Sequence, residues 1–293
     1  MQTKLLKNFR LTLLLIAFVP LAAHAQRDPP VQQFELKSAL LARPIEYRIL
    51  YPVNYQREGN AEKRFPVIYL LHGFSGDNSN WLEKSRVALY ATHFDVFIVM
   101  VEGDNGWYTD SASVPTDKYE SYIIKELIPE IEQRFRVSRE REGRAIAGLS
   151  MGGYGALKFG LKYPEKFSLV ASMSGAFDAA SWTDSDLKTF EFIRQSIQKT
   201  FGPPNSPTRL SNDLIRITRA ASPEQIKQLP FVYFDCGTED FLFQTNRDFL
   251  ALLVERKIPH EFRQLPGTHS WPYWDQQIEE ILRLTARRLA PPK

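Results

Sequence analysis

Arg144-Ala145-Ile146-Ala147-Gly148-Leu149-Ser150-Met151-Gly152-Gly153-Tyr154-Gly155 is the stretch whose reading decides the fold. Its centre is G-x-S-x-G. The residues before it end in an apolar run suited to a buried strand. Gly153 to Tyr163 suits a helix, closed by Pro164. A strand, a tight turn with a serine at its apex and then a helix make the arrangement of a nucleophile elbow, with Ser150 as the nucleophile. The glycines serve a sharp turn in which bulky side chains would collide. The helix points its N-terminus at the serine, and its free N–H groups there favour negative charge. G-x-S-x-G alone is a weak signal, so the rest of the chain must supply the context.

Working outward, Gln32 to Ser38 and Ile45 to Tyr51 read as an N-terminal hairpin. Pro66 to His72 and Asp95 to Val101 are continuous apolar runs, as buried central strands require. A helix is expected over Trp81 to His93. Another is expected over Asp117 to Phe135, where Tyr119, Tyr122, Ile123, Leu127, Ile131 and Phe135 recur at helical spacing. Asp117 and Glu120 resemble a capping box there, and Pro129 should kink the helix. Further strands are expected at Ser168 to Ser174, Phe231 to Cys236 and His260 to Leu265. Helices are expected at Asn246 to Arg256 and Trp271 to Leu289. This alternation predicts an α/β fold with a mostly parallel central sheet and helices on both faces, its site at the carboxyl ends of the strands. Residues 178–222, with a helical stretch from Leu187 to Phe201, break the pattern and read as a helical insertion over the site or a surface excursion.

The chain has 293 residues, with 37 Lys+Arg against 34 Asp+Glu. Lys4, Lys7 and Arg10 precede an apolar run from Leu11 to Leu21 and an A-x-A motif at Ala23-His24-Ala25. Residues 1–25 are therefore read as a signal peptide and 26–293 as a single domain, with a periplasmic or secreted location. The apolar run is short for a membrane span, and no membrane anchor is expected after cleavage. Removing the three basic residues of the leader leaves 34 against 34, so the mature chain is neutral. Neither a basic stripe for nucleic acid nor a basic amphipathic helix is evident. The one cysteine, Cys236, permits no internal disulfide and lies in an apolar strand, which suits a buried, inert thiol.

Serine needs a base within hydrogen-bond reach, and the base needs an orienting carboxylate. With this elbow the chain order is Ser, acid, His. Only His260 and His269 follow Ser150. His260 opens a strand, whereas His269 lies in the turn after the last strand, where a base belongs, so His269 is preferred. Asp240 lies in the loop after a strand and is the favoured acid. Glu239 is its local competitor, and Asp235 falls inside the strand. The N–H of Met151 should be one oxyanion donor. The second should come from Leu71-His72-Gly73-Phe74-Ser75-Gly76, with Phe74 first and Gly73 next. Trp107 and Tyr108 are candidates to line the substrate pocket. No metal site, phosphate loop or dinucleotide fingerprint is present, and no cofactor is expected.

These motifs together resemble the putative-esterase family of α/β-hydrolases, which includes tributyrin esterases, S-formylglutathione hydrolases, feruloyl and acetylxylan esterases and the antigen 85 mycolyltransferases. The carrying residues are Leu71 to Asp77, Gly106 to Asp110, Tyr119-Glu120, Gly148 to Gly155, Cys236 to Asp240 and His269-Ser270-Trp271. They span nearly the whole mature chain. The resemblance implies an α/β-hydrolase fold and carboxylester hydrolysis through an acyl-enzyme. It carries over to Ser150, Asp240 and His269 as triad and to Phe74 and Met151 as oxyanion donors. The expected substrates are small-molecule or carbohydrate esters with short acyl or aryl groups, such as acetyl or feruloyl. An acyltransferase to a sugar acceptor would use the same triad, and a binding module on an inactive hydrolase fold is the third reading. S-formylglutathione is disfavoured as a substrate because it is cytosolic and the chain carries a leader.

Overall fold

The computed structural model of the chain describes residues 31–291. The leader read at residues 1–25 lies outside the described residues. Eight strands form one sheet in the order β1-β2-β4-β3-β5-β6-β7-β8. They are β1 (Val31–Ser38), β2 (Arg43–Leu50), β3 (Val67–Leu71), β4 (Phe97–Val101), β5 (Arg144–Leu149), β6 (Leu169–Met173), β7 (Phe231–Gly237) and β8 (His260–Leu265). The β1–β2 and β2–β4 pairs are antiparallel, and every other pair is parallel. Every residue of β3, β4, β5 and β6 is buried, as continuous apolar strands covered on both faces must be.

Alternate residues of the central strands feed two cores. Tyr69, Val99, Ile146 and Val170 face one layer of helices. That layer comprises α3 (Tyr119–Tyr122), α4 (Ile128–Arg134), α5 (Met151–Lys162), α6 (Glu191–Phe201), α8 (Leu214–Ala220) and α10 (Phe243–Glu255). Leu70, Met100, Ala147 and Ala171 face the other. Its helices are α1 (Asn80–Lys84), α2 (Val87–Ala91) and α11 (Trp271–Arg288). Two short helices, α7 (Pro207–Ser211) and α9 (Pro223–Gln228), complete the set. The family of folds expected from the sequence is the one observed, an α/β-hydrolase sheet with helices on both faces.

Two expected helices are broken, each for a local reason. Between α1 and α2 the backbone at Ser85 is extended. Its hydroxyl donates to Trp81 O at 2.5 Å, and Arg86 N–H turns out to Asp275 at 2.7 Å. The helix expected over residues 117–135 is α3, a π turn (Ile123–Leu127) and α4. The π turn sends Ile128 N–H to Ile123 O, and α4 restarts with Pro129 in its first turn, where a missing N–H breaks no helical bond. No capping box forms at Asp117. That carboxylate pairs with Lys199 at 2.6 Å, while Glu120 is buried against Lys158 at 2.8 Å.

The 178–222 segment is helical, holding a short 3-10 turn and α6, α7 and α8. Ser206 and Asp213 cap α7 and α8, and Ser222 with Gln225 forms a capping box on α9. Trp182 and Phe201 of this segment pack on Trp107 and Tyr154, ring centroids 5.7 and 5.9 Å apart, so the insertion covers α5 beside the elbow.

Candidate active site

The carboxyl ends of the parallel strands converge on Ser150, between β5 and α5. Its backbone is strained, at φ 53 and ψ −114, a conformation that typically costs ~1–3 kcal/mol and persists only where surroundings impose it. Three backbone hydrogen bonds do so. Ser150 N–H donates to Met173 O at 2.9 Å, and Ser150 O accepts from Tyr154 and Ala176 N–H at 3.0 and 3.3 Å. The flanking glycines allow the close approach. A Cβ on Gly148 would sit 2.5 Å from the Gly152 carbonyl carbon, and one on Gly152 would sit 2.6 Å from both Leu71 O and His72 O.

His269 follows β8, with Nε2 2.9 Å from Ser150 Oγ. Its Nδ1 faces Asp240, 2.8 Å from Oδ2 and 3.0 Å from Oδ1. Burial alone would raise the Asp240 carboxyl, but it is held below its usual value. The His269 contact, the Leu242 N–H and the Ser174 hydroxyl outweigh the burial. The imidazole is boxed by Trp274, edge-on at 4.9 Å, and by Phe241 at 4.5 Å. Trp274 is itself fixed by donating from Nε1 to Ser174 Oγ at 3.1 Å. A third aromatic, Tyr273, packs on Gly267 of the histidine loop and donates to Asp235 at 2.9 Å. This contact ties the loop to β7.

The competing residues lie elsewhere. His260 points Nδ1 at Ile258 O, 2.7 Å away. Glu239 accepts from Gly267 N–H at 2.5 Å and so shapes the histidine loop without touching the ring. Asp235 is fully buried inside β7, and burial pushes its carboxyl up to about 7. Cys236 is buried as well, and burial pushes its thiol up.

The loop after β3 runs beside the serine. A Cβ on Gly73 would lie 3.6 Å from Ser150 Cβ, so this loop passes against the serine. Among the described residues Phe74 N–H donates to no partner. Met151 opens α5, where the first N–H groups have no helical acceptor. A buried network absent from the sequence reading holds this loop. His72 Nε2 lies 3.1 Å from Glu102, and Glu102 also accepts from the N–H groups of Asn78, Gly103 and Asp104. Burial disfavours the ionised Glu102, yet His72 and these amides hold it at about 2.

Trp107 and Tyr108, expected to line the pocket, are 2% and 0% exposed. The Tyr108 hydroxyl donates to His72 O at 2.9 Å, and Trp107 Nε1 donates to Ser196 at 3.1 Å. Both adopt φ 52, the left-handed region. Lys158, buried in α5, holds this turn by donating to Tyr108 O and Thr109 Oγ1 at 2.5 and 2.8 Å. Burial lowers the Lys158 ammonium to about 8 against the pull of Glu120. The two aromatics therefore brace the loop after β3 from within. The exposed rings near the site are Phe241 and Phe192, 74% and 62% exposed. Phe192 packs edge-on to Phe74 at 5.6 Å. The sequence signalled neither, because exposure depends on how the loops fold. Among the described residues, no group of three or more His, Cys, Asp or Glu could hold a metal ion. No described helix is long and apolar enough to cross a membrane.

A family profile described as "Putative esterase" matches residues 38–285. The acetyl esterase of Caldicellulosiruptor saccharolyticus is 27% identical over 255 residues, covering 85% of this chain and 95% of that one. The diacylglycerol acyltransferase/mycolyltransferase Ag85B of Mycobacterium leprae is 26% identical over 289 residues, covering 89% and 84%. Among solved structures, the Staphylococcus aureus fluorophosphonate-binding serine hydrolase F superposes with TM-score 0.79 at 27% identity, covering 89% and 99%. A ferulic acid esterase superposes with TM-score 0.75 at 28% identity, covering 90% and 100%.

Proposed function

The chain belongs to the putative esterase family of serine hydrolases that act on ester bonds, and on that premise we propose that it cleaves short-chain acyl or aryl esters, including acetyl or feruloyl esters of carbohydrate, with Ser150, His269 and Asp240 as its triad. The observation that carries this reading is the unbroken hydrogen-bonded line from Ser150 Oγ through His269 to Asp240. His269 Nε2 takes the Ser150 proton as Oγ attacks the ester carbonyl carbon. The carbonyl oxygen becomes an oxyanion held by the N–H groups of Phe74 and Met151. The acyl carbon–alcohol oxygen bond then breaks, and His269 gives the proton to the departing alcohol. Water enters, gives a proton to His269 and attacks the acyl carbon. The acid leaves, and His269 returns the proton to Ser150. Asp240 fixes the imidazole tautomer and stabilises its charged form.

The resemblance to Ag85B favours a second reading, in which a sugar hydroxyl replaces water at the acyl-enzyme. The leader at residues 1–25 supports action in the periplasm or outside the cell. The test is hydrolysis of p-nitrophenyl esters from acetate to decanoate, with methyl ferulate beside them, followed by product analysis with and without a sugar acceptor. Rapid acetate turnover with free acid as product in both conditions supports the esterase. Acylated sugar as the main product supports the transferase. No turnover by the wild-type protein contradicts both.

A further inference from the structure

Beside the oxyanion loop lies a cavity of about 360 Å³ lined by Arg43, Asp104, Asn105, Asp117, Lys199, Phe192 and their neighbours. Its charges cancel in pairs. Arg43 meets Asp104 at 2.5 Å, and Lys199 meets Asp117 at 2.6 Å. These groups are between about a quarter and just over half exposed, so they line the cavity with alternating donors and acceptors without attracting a net charge. Asn105 accepts from Ser75 N–H at 2.7 Å, and its amide nitrogen donates to no described residue. One wall is apolar. Phe192 is 62% exposed, unusual for so large a ring, and its edge meets Phe74 at 5.6 Å. Phe74 in turn adjoins Gly73, whose position is against Ser150. The cavity and the nucleophile are therefore joined by one aromatic step.

A neutral cavity rich in paired donors and acceptors, with an exposed aromatic face on one side, matches a neutral polyhydroxylated ring better than an ion or a lipid chain. Hydroxyl groups bridge the ion pairs, and the C–H face of the ring packs on the aromatic. We propose that this cavity is the subsite for the glycosyl or polyol alcohol portion of the ester, with the acyl group reaching past Phe74 to Ser150. The inference rests on the esterase reading above and adds the location of the alcohol. It also assigns Phe192, from the insertion, a role in selecting substrates.

The test compares wild type, Phe192→Ala and Phe190→Ala. Phe190 is exposed on the same segment but outside the cavity lining. Two readouts are taken. The first is the ratio of kcat/KM on acetylated xylotetraose to kcat/KM on p-nitrophenyl acetate. The second is binding of free xylotetraose and cellotetraose to Ser150→Ala protein, by calorimetry, with and without the Phe192 change. The expected result is a ratio about tenfold lower in Phe192→Ala, carried by KM, with Phe190→Ala at the wild-type ratio. Tetraose binding should weaken by a similar factor when Phe192 is removed. An unchanged ratio and unchanged binding in Phe192→Ala would overturn the subsite while leaving the esterase reading intact. Phe192-dependent tetraose binding by a wild-type protein that hydrolyses neither ester would leave a carbohydrate-binding cavity and overturn both the esterase reading and the cavity's assignment as the alcohol subsite.

Discussion

Substituting Gly152 by alanine probes how closely α5 must approach β3. The new Cβ would meet Leu71 O and His72 O at 2.6 Å, and Leu71 C at 2.8 Å, all of them backbone. Ordinary contact begins at 3.4 Å, so α5 has to retreat by about 0.8 Å. Met151 N–H moves with α5, while Phe74 N–H stays with the loop after β3. Oxyanion donors act at roughly 2.7–3.1 Å, so a gap of that size removes one donor, a loss of about 100- to 1,000-fold in kcat. Overpacking also destabilises by ~1–3 kcal/mol. Gly160→Ala is the control. Its Cβ would meet the Val170 side chain at 2.5 Å, far along the same helix from the serine. Thermal unfolding by circular dichroism and kcat on p-nitrophenyl acetate separate the two effects. Both variants should lose several degrees in Tm, and only Gly152→Ala should lose the rate. A folded Gly152→Ala protein with kcat within about threefold of wild type would refute the argument that this close approach sets the oxyanion geometry.

Asp240→Asn should keep the fold and lower kcat by roughly 10³- to 10⁴-fold, because the amide no longer fixes the imidazole tautomer; steady-state kinetics at matched Tm check this. Lys158→Met leaves the Glu120 carboxylate buried with only Lys162 and Tyr163 as partners. A loss of ~3–5 kcal/mol in urea unfolding is expected, recovered in part by adding Glu120→Gln. Asp235 is raised from 3.8 to about 7 by burial, so the folded state holds a proton there that the unfolded chain releases. Its contribution is full below pH 3.8 and is lost as pH rises through about 7. Asp235→Asn should flatten that fall in a Tm-against-pH series, and an unchanged slope would contradict the assignment.

The elbow was legible in the sequence because its glycine spacing is itself the steric requirement of the turn. The buried strands were legible because parallel strands covered on both faces must be apolar throughout. Ser150, His269 and Asp240 could be singled out by chain order and by lying just past strand ends, and the structure brings all three within hydrogen-bond reach. What was not legible depended on contacts distant in sequence. Trp107 and Tyr108 looked like pocket residues because aromatics near a site often are. Their left-handed turn is held shut by Lys158, some fifty residues away. Asp117 and Glu120 had the spacing of a cap but found charged partners in α6 and α5. The His72–Glu102 network has no local signature, since its members belong to the ends of two neighbouring strands. The kink expected at Pro129 has a visible counterpart only in the segmentation of the helix, a π turn followed by α4 with Pro129 in its first turn.

The proposed chemistry depends above all on Ser150 being the activated nucleophile. The most direct measurement is intact mass and peptide mapping after treatment with a fluorophosphonate, in wild type, Ser150→Ala and His269→Gln. One adduct per chain is expected, mapped to Ser150, absent from Ser150→Ala and formed far more slowly in His269→Gln. An adduct on another residue, or labelling of Ser150 that is equally fast without His269, would contradict it.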